Sequence, residues 1–254
     1  MASPHLRTSD IAKELGVHAN TIRLYENREF LPPIPRGQNG YRQYSPMHLE
    51  QARLAKLALR WPYVGDRTLL IDLVKSAARD DFGGAMELAY QYLARVRVAR
   101  VHADVAVAFL ERWAAGRVLD AWPQKLSISQ TAQFLNVTVD MLRNWERNGL
   151  IAVPRNPANQ YRLYGAAEFE RIRVIRMLVQ AGFSLMAILR MLQQFDAGHT
   201  GNLRAALELP PEESAHEAID IIGDHWLSSL LDLEQRAQAI IQQISHMIEL
   251  AQAG

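Results

Sequence analysis

Apolar residues recur at helical spacing in a short block near the start of the chain. Five of them fall where two packed helices would share an inner face: Ile11, Ala12, Leu15, Val17 and Ile22. Ser9 is the expected N-cap of a first helix, Asp10–Leu15, and Gly16 permits a tight turn after it. A second helix is predicted from about His18 to Arg28, so the block has the pattern of a helix-turn-helix.

A stretch rich in proline, glycine and asparagine follows the second helix and interrupts the helical pattern. Residues 31–45 read LPPIPRGQNGYRQYS, with Gln38, Asn39 and Gly40 in the middle. Such residues break helices and favour a short β-like pair around a turn. We therefore expect a wing here, followed by a helix over about Pro46–Leu59.

The same pattern occurs a second time, displaced by 120 residues without a gap. The matching pairs include Leu15 with Leu135, Arg23 with Arg143, Tyr25 with Trp145, Glu26 with Glu146, Tyr41 with Tyr161, Arg42 with Arg162 and Tyr44 with Tyr164. The second copy predicts Ser129 as an N-cap, helices over Gln130–Leu135, Thr138–Arg147 and Ala166–Gln180, a turn at Asn136 and a wing at 151–165. The repeat indicates one fold used twice.

Two further segments carry apolar residues at spacings of three and four, which predicts long helices with an apolar seam. The first lies within 85–115 and contains Met86, Leu88, Leu93, Val96, Val101, Val105, Ala108, Phe109 and Trp113. The second lies within 224–250 and contains Leu227, Leu230, Leu231, Leu233, Ala237, Ile240, Ile241, Ile244, Met247 and Ile248. Core packing within the chain and coiled-coil pairing both fit this pattern.

The predicted fold is mostly α, with two winged helix-turn-helix domains, each followed by a long amphipathic, coiled-coil-like helix. The first winged domain is expected over 1–75 and the second over 125–195. Residues 76–124 are expected to form a helical dimerisation or effector segment with a linker, and residues 196–254 a loop and a C-terminal coiled-coil helix.

Charge is distributed unevenly along the chain, although the net formal charge is only +1. Residues 1–60 carry a charge of +4 and residues 125–192 a charge of +5, while residues 61–124 are neutral and residues 193–254 carry −8. The basic blocks coincide with the two predicted winged domains. This coincidence favours a polyanion such as double-stranded DNA as the partner.

Several other function classes receive no support from the sequence. We find no Gly-rich phosphate loop and no nucleophile–base spacing, so an enzyme is not expected. The chain has no cysteine, and its eight histidines show no ligand spacing, so neither a metal site nor a cofactor is expected. Since no stretch suits a signal peptide or a membrane span, we expect a cytoplasmic protein without a membrane partner.

The two copies resemble the MerR family of bacterial transcriptional regulators. The resemblance is carried by SDIAKELGVHANTIRLYENREFLPP with NGYRQYS, and by SQTAQFLNVTVDMLRNWERNGLIAV with NQYRLYG and AGFSLMAILRML. It covers about half the chain and implies dimers joined by an antiparallel coiled coil, which bind and distort an operator in a promoter where RNA polymerase acts. Two DNA-binding units in one chain depart from the single unit that is usual in this family.

The resemblance places the DNA-reading residues on the second helix of each copy. Base edges are expected to be met by His18, Asn20 and Thr21 in the first copy and by Thr138, Asp140 and Met141 in the second. Arg23 and Arg143 are expected to meet phosphate or a base edge, while Tyr25 and Trp145 pack against the sugar-phosphate backbone. Asp140 is unexpected beside phosphates, and capping of its own helix is the favoured role over acceptance from a cytosine amine.

The wings supply the remaining predicted DNA contacts. Phosphate contacts are expected from Arg42 and Arg162, Tyr41 and Tyr161 are expected to brace the wing strand, and Arg36 and Arg155 complete the DNA-binding set. Core positions are expected for Tyr44 and Tyr164, and pairing with a nearby arginine for Glu26 and Glu146.

The middle of the chain is rich in aromatic residues, which suit either core packing or an apolar pocket for a small-molecule effector. The candidate pocket residues are Trp61, Tyr63, Tyr90, Phe109 and Trp113.

The two long helices are compatible with two assemblies. Antiparallel pairing inside one chain makes a covalent pseudo-dimer, since the linker Gly116–Leu126 spans up to about 35 Å when extended. A homodimer with four winged domains is the alternative. The pseudo-dimer predicts a non-palindromic operator, because the two reading helices differ. Two other functions stay open: an architectural protein that bends DNA without sequence choice, and a protein that sequesters a small molecule.

Overall fold

The structure, a computed structural model, describes residues 6–116, 125–208 and 225–253. The first half of the chain forms α1 (Thr8–Leu15), α2 (Ala19–Asn27), α3 (Pro46–Ala58), α4 (Thr68–Ala78) and α5 (Phe82–Ala114). The second half forms α6 (Ile128–Leu135), α7 (Val139–Arg147), α8 (Ala166–Gln180), α9 (Leu185–Asp196), α10 (Leu203–Glu208) and α11 (Trp226–Ala253). Within these ranges extended backbone pairs only through isolated antiparallel bridges, so the fold is mostly α, as predicted.

Two parts of the sequence-based description lie outside the described residues. Most of the predicted linker, residues 117–124, is one of them, and residues 209–224 of the predicted loop are the other. In the ranges that are described, no helix is long and apolar enough to cross a membrane.

The turn of each helix-turn-helix adopts the backbone conformation that its sequence predicted. Gly16 has φ 59° and Asn136 has φ 49°, both in the left-handed region that these two residue types tolerate best. The N-caps were predicted two residues too late. Ser9 lies inside α1, and the N-cap of α6 is Ser127 rather than Ser129.

The physical reason for these earlier starts is a side chain that reaches back over the first turn. Asp10 accepts a hydrogen bond from the backbone N–H of Arg7 at 2.8 Å, and Gln130 accepts one from the backbone N–H of Ser127 at 2.9 Å. Both residues occupy the third helical position, so they satisfy an N–H group that a later N-cap would leave unpaired.

The predicted inner face of the first helix-turn-helix is a true core. Ile11, Ala12, Leu15 and Ile22 are buried together with residues of the wing and α3, and Val17 packs against them partly buried. Tyr44, at the end of the wing, is completely buried, and its backbone pairs with Leu6. The wing is thus joined to the core at its base, which fixes its position beside α2.

The chain packs as two compact units, and their boundaries fall inside the two long helices. Unit 1 consists of residues 1–98 and 230–254, and unit 2 of residues 99–229. Each unit therefore contains one winged domain together with parts of both α5 and α11. The predicted domain boundaries follow the repeat in the sequence, whereas the compact units exchange portions of the long helices.

In unit 1 the C-terminal helix packs against the first winged domain. Gln243 donates a hydrogen bond to the Glu50 carboxylate at 2.8 Å, and Arg236 donates one to the backbone oxygen of Pro62. Arg97 of α5 pairs with Glu234 of α11 at 2.8 Å. These contacts join residues about 140 to 190 positions apart in sequence.

In unit 2 the second half of α5 packs against the second winged domain. The Trp113 ring stacks on the Phe195 ring, with 4.1 Å between ring centroids, and Arg173 lies 5.7 Å above the centre of the Phe109 ring. Trp226, at the start of α11, donates a hydrogen bond from its indole nitrogen to the backbone oxygen of Ala181 at 2.7 Å.

Candidate nucleic-acid interface

The first recognition helix, α2, begins with an exposed polar turn. His18 is its N-cap, and the ring Nδ1 accepts a hydrogen bond from the backbone N–H of Asn20 at 3.2 Å. Asn20 is exposed and Thr21 is half-buried. These three residues lie at the start of the helix, as predicted, and His18 also caps its N-terminus.

Arg23 is held one turn further along by a neighbour on the same face. Its guanidinium donates to the Asn20 side-chain oxygen at 3.1 Å, and Arg23 is exposed. This contact orders a long side chain before any DNA is bound, which lowers the entropy lost on binding. The Asn20 amide nitrogen is a donor that this contact does not use.

An ion pair fixes the first wing to the recognition helix. Arg42 of the wing donates from Nε to the Glu26 carboxylate at 2.6 Å, and the two side chains are only 22% and 17% exposed. The prediction that Glu26 pairs with an arginine is confirmed. A phosphate contact by Arg42 stays a prediction, and it would use the terminal nitrogens of the guanidinium.

The tip of the first wing presents an aromatic side chain rather than burying it. Tyr41 was expected to brace the strand, but its residue is 71% exposed, so that expectation is wrong. The tip is held instead by Arg36, which donates to the backbone oxygen of Gly40 at 3.3 Å, and by Asn39, which accepts from the Tyr41 N–H. The exposed tyrosine therefore packs little against its own chain.

The second recognition helix, α7, has the same frame but different chemistry at its start. Thr138 is the N-cap, and its hydroxyl accepts from the backbone N–H of Met141 at 3.0 Å. Asp140 was expected to cap the helix, but Thr138 already fills that position. Asp140 instead accepts from Arg143 at 3.4 Å, with its side chain 91% exposed.

The second wing repeats this ion pair with the recognition helix at the same distance. Arg162 donates from Nε to the Glu146 carboxylate at 2.6 Å, as Arg42 does to Glu26. Arg155 donates to the backbone oxygen of Gln160 at 3.2 Å, and Tyr161 is 73% exposed, so Tyr161 does not brace the strand either.

The two wings differ in length at the tip, although the sequence repeat has no gap. The bridge of the first wing joins Arg36 to Arg42, and the bridge of the second joins Arg155 to Arg162. The second tip therefore holds one more residue, and Gln160 adopts a φ of 61° there, where the first wing uses Gly40 at 78°. The two wings offer a similar arginine and tyrosine on different backbone geometry.

The aromatic pair at the centre of the recognition helices belongs largely to the core. Trp145 is only 2% exposed, so its predicted contact with the sugar-phosphate backbone is wrong. The ring is buried in the core instead. Tyr25 is half-buried and meets the Phe30 ring edge-on at 6.1 Å. Burial raises the pKa of the Tyr25 hydroxyl, against a smaller lowering by the nearby Arg67.

Two residues of the recognition helices were missed by the sequence reasoning. Leu24 is 44% exposed, and Asn144 occupies the matching position in the second copy. Both lie one turn beyond Asn20 and Asp140, so they share the same helix face. The four-residue spacing from the predicted reading positions was the signal that could have found them.

The proposed core tyrosines are confirmed, and the helix that follows each wing is capped differently. Tyr44 and Tyr164 are completely buried.

After Tyr44, Ser45 and His48 form a capping box, in which the His48 ring accepts from the Ser45 N–H at 3.0 Å. Burial lowers the pKa of His48, partly offset by Asp80. After Tyr164, Glu168 takes the place of His48 and accepts from the Gly165 N–H at 2.8 Å.

The five aromatic residues of the candidate effector pocket do not gather within one unit. Trp61, Tyr63 and Tyr90 belong to unit 1, where Trp61 and Tyr90 are 43% and 56% exposed. Phe109 and Trp113 belong to unit 2. Trp113 lines a cavity of about 380 Å³ in that unit, together with Phe195 and with Ile151 and Ala152 at the start of the second wing.

Two family models match the chain, one on each copy. A model described as MerR family regulatory protein matches residues 7–44, and a model described as MerR HTH family regulatory protein matches residues 126–194. These stretches contain the recognition helix and wing of each copy. The match to both copies accords with the repeat that the sequence shows.

Curated relatives have the same kind of name. A protein of Haemophilus influenzae named "Probable heavy metal-dependent transcriptional regulator" is 26% identical over 129 residues, which cover 51% of this chain and 90% of that protein. The HTH-type transcriptional regulator CueR of Yersinia pestis is 38% identical, over 21% of this chain and 38% of its own length. The mercuric resistance operon regulatory protein of Pseudomonas fluorescens is 33% identical, over 30% of this chain and 53% of its own length.

No solved structure matches the chain. The chain spans only about half, or less, of the CueR and mercuric resistance regulators that it matches. The two family matches, the relatives and the repeated helix-turn-helix with its wing agree with one another, and each of the two copies is similar to MerR family regulatory proteins.

Proposed function

We propose that this protein is a sequence-specific transcriptional regulator that binds double-stranded promoter DNA with two different winged helix-turn-helix readers. The observation that carries the proposal is the ion pair between recognition helix and wing, which occurs in both copies and is called the brace from here on. Glu26 with Arg42, and Glu146 with Arg162, hold the wing beside the recognition helix at the same 2.6 Å. A fixed angle between a helix for the major groove and a wing for the backbone is what docking on duplex DNA needs.

The reading residues support two different half-sites. The first turn of α2 presents Asn20, whose amide suits the donor and acceptor pattern of adenine. The same position in α7 carries Asp140, which only accepts hydrogen bonds and is held by Arg143. Since the phosphate-facing frame is shared and the base-facing residues are not, the operator consists of two unlike half-sites.

The composition of the two units supports a pseudo-dimer within one chain. MerR-type regulators act as dimers, and here each winged domain packs with a helix segment from the other half of the sequence: residues 230–254 in unit 1 and residues 99–114 in unit 2. One chain therefore supplies both readers and both pairing helices. RNA polymerase at the promoter is the downstream partner of the regulator in this proposal.

The effector in this proposal is a small organic molecule. The names of two of the three relatives refer to heavy metals or to mercury resistance, but this chain contains no cysteine, the ligand that soft metals prefer. The cavity at Trp113 and Phe195 is lined by aromatic and aliphatic residues together with the charged residues Glu168, Arg171 and Asp196, and its volume of about 380 Å³ is within the size range of ligand pockets. It borders Ile151 and Ala152, so its occupation would act on the second wing.

DNA binding by single-arginine variants tests the proposal. Arg23→Ala and Arg143→Ala each remove an exposed guanidinium from one reader, and each is expected to weaken binding to the promoter upstream of the protein's own gene by about 1–3 kcal/mol. Gel-shift titration at fixed salt measures the change, with an unrelated duplex of equal length as competitor. Arg95→Ala on α5 is the matched control and should leave the affinity unchanged.

The competitor decides between sequence-specific and architectural binding. A regulator binds its promoter at least about 1000-fold more tightly than random duplex at the same salt concentration. Equal affinity for the two duplexes would contradict specific binding and favour the architectural alternative. No binding to either duplex, with intact folding, would contradict a role on DNA altogether.

A further inference from the structure

A cavity of about 310 Å³ lies on the second winged domain, between α6 and α8. Its described lining comes from these two helices and belongs to unit 2 alone. Phe134 of α6 and Phe169 of α8 form an aromatic wall, with their rings edge to face and their centroids 5.7 Å apart. Phe134 is 54% exposed. A recess of this volume, walled by aromatic rings, is of the size that holds a small organic ligand.

Two arginines and one carboxylate line the same cavity, and the Nε of one arginine lacks a partner. This is Arg176, whose Nε is buried without a hydrogen-bond partner among the described residues. A buried N–H group of a cation costs free energy when it stays unpaired, so its presence in a cavity indicates a missing acceptor. Arg173, one turn earlier on α8, holds its guanidinium 5.7 Å from the centre of the Phe109 ring. With Glu170 as the carboxylate, the three charged side chains of the cavity sum to +1.

The first copy shows how the same surface is completed within the chain. A shift of 120 residues matches the side chains of the cavity with others in the first copy: Phe134 with Glu14, Glu170 with Glu50, Arg173 with Arg53 and Arg176 with Lys56. In the first copy Arg53 pairs with both Glu14 and Glu50. Lys56 donates a hydrogen bond to the backbone oxygen of Leu15. Two cations thus accompany two carboxylates, and each cation has an acceptor.

The second copy replaces one of those carboxylates by an aromatic ring. Phe134 stands where the first copy has Glu14, so the four matching side chains sum to +1 instead of zero. The replacement removes an acceptor from the neighbourhood of the two arginines and adds an apolar surface there. A molecule that carries both a negative charge and an aromatic ring supplies what this cavity lacks.

We propose that this cavity binds an aromatic monocarboxylate. The carboxylate of the ligand takes the place that Glu14 has in the first copy and accepts hydrogen bonds from Arg176, because a planar guanidinium matches a carboxylate. The ring of the ligand packs against Phe134 and Phe169. Glu170 disfavours a second negative charge, so dianions bind more weakly. The site shares no described lining residue with the other cavity of unit 2, and its occupation does not require DNA.

Isothermal titration calorimetry of the full chain without DNA tests the proposal. The probe 2-naphthoate should bind at a single site per chain, and benzoate should bind more weakly because it buries less apolar surface. The amine 2-naphthylmethylamine carries the opposite charge on the same ring system and should not bind. Phthalate, a dianion, should bind more weakly than benzoate because of Glu170.

Two variants locate the ligand in the cavity. Arg176→Met keeps a long side chain but removes the donor, and it should raise the dissociation constant for 2-naphthoate at least about tenfold. Phe134→Glu copies the first copy at an exposed position, supplies the carboxylate from within the chain and should weaken binding by a similar factor. Arg147→Met, at an exposed arginine of α7 in the same unit, is the matched control and should bind the probe as the wild type does. Circular dichroism checks that each variant is folded.

Three results would overturn the proposal. One is a wild-type protein that binds neither 2-naphthoate nor benzoate at about 5 mM, a concentration at which even a weak site is occupied. Another is equal affinity for the naphthoate and the naphthylmethylamine, since the charge would then play no part. The third is binding of 2-naphthoate that Phe134→Glu leaves unchanged in a folded protein, since the ligand would then lie outside this cavity. None of these results bears on the two DNA readers, which gel-shift titration tests separately.

Discussion

The substitution Glu26→Gln should change DNA affinity in opposite directions, according to whether Glu26 acts through its charge or by holding the wing in position. Glu26→Gln removes a negative charge from the face expected to meet phosphates. If Glu26 acted only through its charge, the variant would bind DNA more tightly, because repulsion is relieved. If Glu26 fixes Arg42 and the wing, the variant should bind more weakly, because the wing must be ordered at the moment of binding.

The structure sets the magnitude of this effect. The Glu26–Arg42 contact is 2.6 Å long, and both side chains are less than one quarter exposed. A charge-assisted hydrogen bond in such a site contributes about 1.5–3 kcal/mol, and partial exposure lowers this toward about 1–2 kcal/mol. We expect a coupling free energy of that size in a double-mutant cycle of Glu26→Gln and Arg42→Gln, measured by urea unfolding.

An exposed ion pair in the same domain supplies the control. Glu29 pairs with Lys75 at 2.8 Å, but the Glu29 side chain is 77% exposed. The equivalent cycle of Glu29→Gln and Lys75→Gln should give a coupling of about 0–1 kcal/mol. Tighter promoter binding by Glu26→Gln, or equal coupling in the two cycles, would refute the brace.

Three further predictions concern stability. Burial lowers the pKa of His48 in the folded chain from its ordinary value of 6.5, so the unfolded chain binds more protons below neutral pH. The free energy of unfolding, measured by urea titration at each pH, should therefore fall as the pH drops from about 7 to 5. The variant His48→Glu, which copies the capping box of Glu168, should flatten that dependence. Gly16→Ala forces a Cβ into a φ of 59° and should cost about 1–2 kcal/mol in thermal unfolding, whereas Asn136→Gly should be neutral or stabilising; equal effects would contradict the turn geometry. Gly182→Ala places a Cβ 2.7 Å from the Trp226 indole nitrogen at a φ of 97°, so it should cost more than about 2 kcal/mol, and a variant that unfolds like the wild type would contradict that contact.

The repeated domains could be predicted from sequence because local signals agree there. The inner-face residues, the left-handed turn residues and the proline-rich wing each indicate the same structure. Ser9 and Ser129 misled because a serine is a good N-cap anywhere, and only the reach of Asp10 and Gln130 shows which residue begins the helix. That information lies in three-dimensional geometry rather than in residue type.

The roles of individual site residues were harder to predict, because equivalent positions have different surroundings. Trp145 matches Tyr25 in sequence, yet the larger ring is fully buried and the smaller one only partly. Asp140 matches Asn20, but Thr138 takes the capping role that Asp140 was given. The exchange of helix segments between the two halves was also invisible to the spacing of apolar residues, since that spacing does not name a partner.

In the proposed function, one chain carries two readers for two different half-sites. Selection of bound duplexes from a random pool tests it most directly, with the full chain at a single salt concentration. We expect a consensus made of two unlike motifs, with Arg23→Ala relaxing one of them and Arg143→Ala the other. A consensus made of a single motif and its inverted repeat, relaxed equally by both variants, would contradict it.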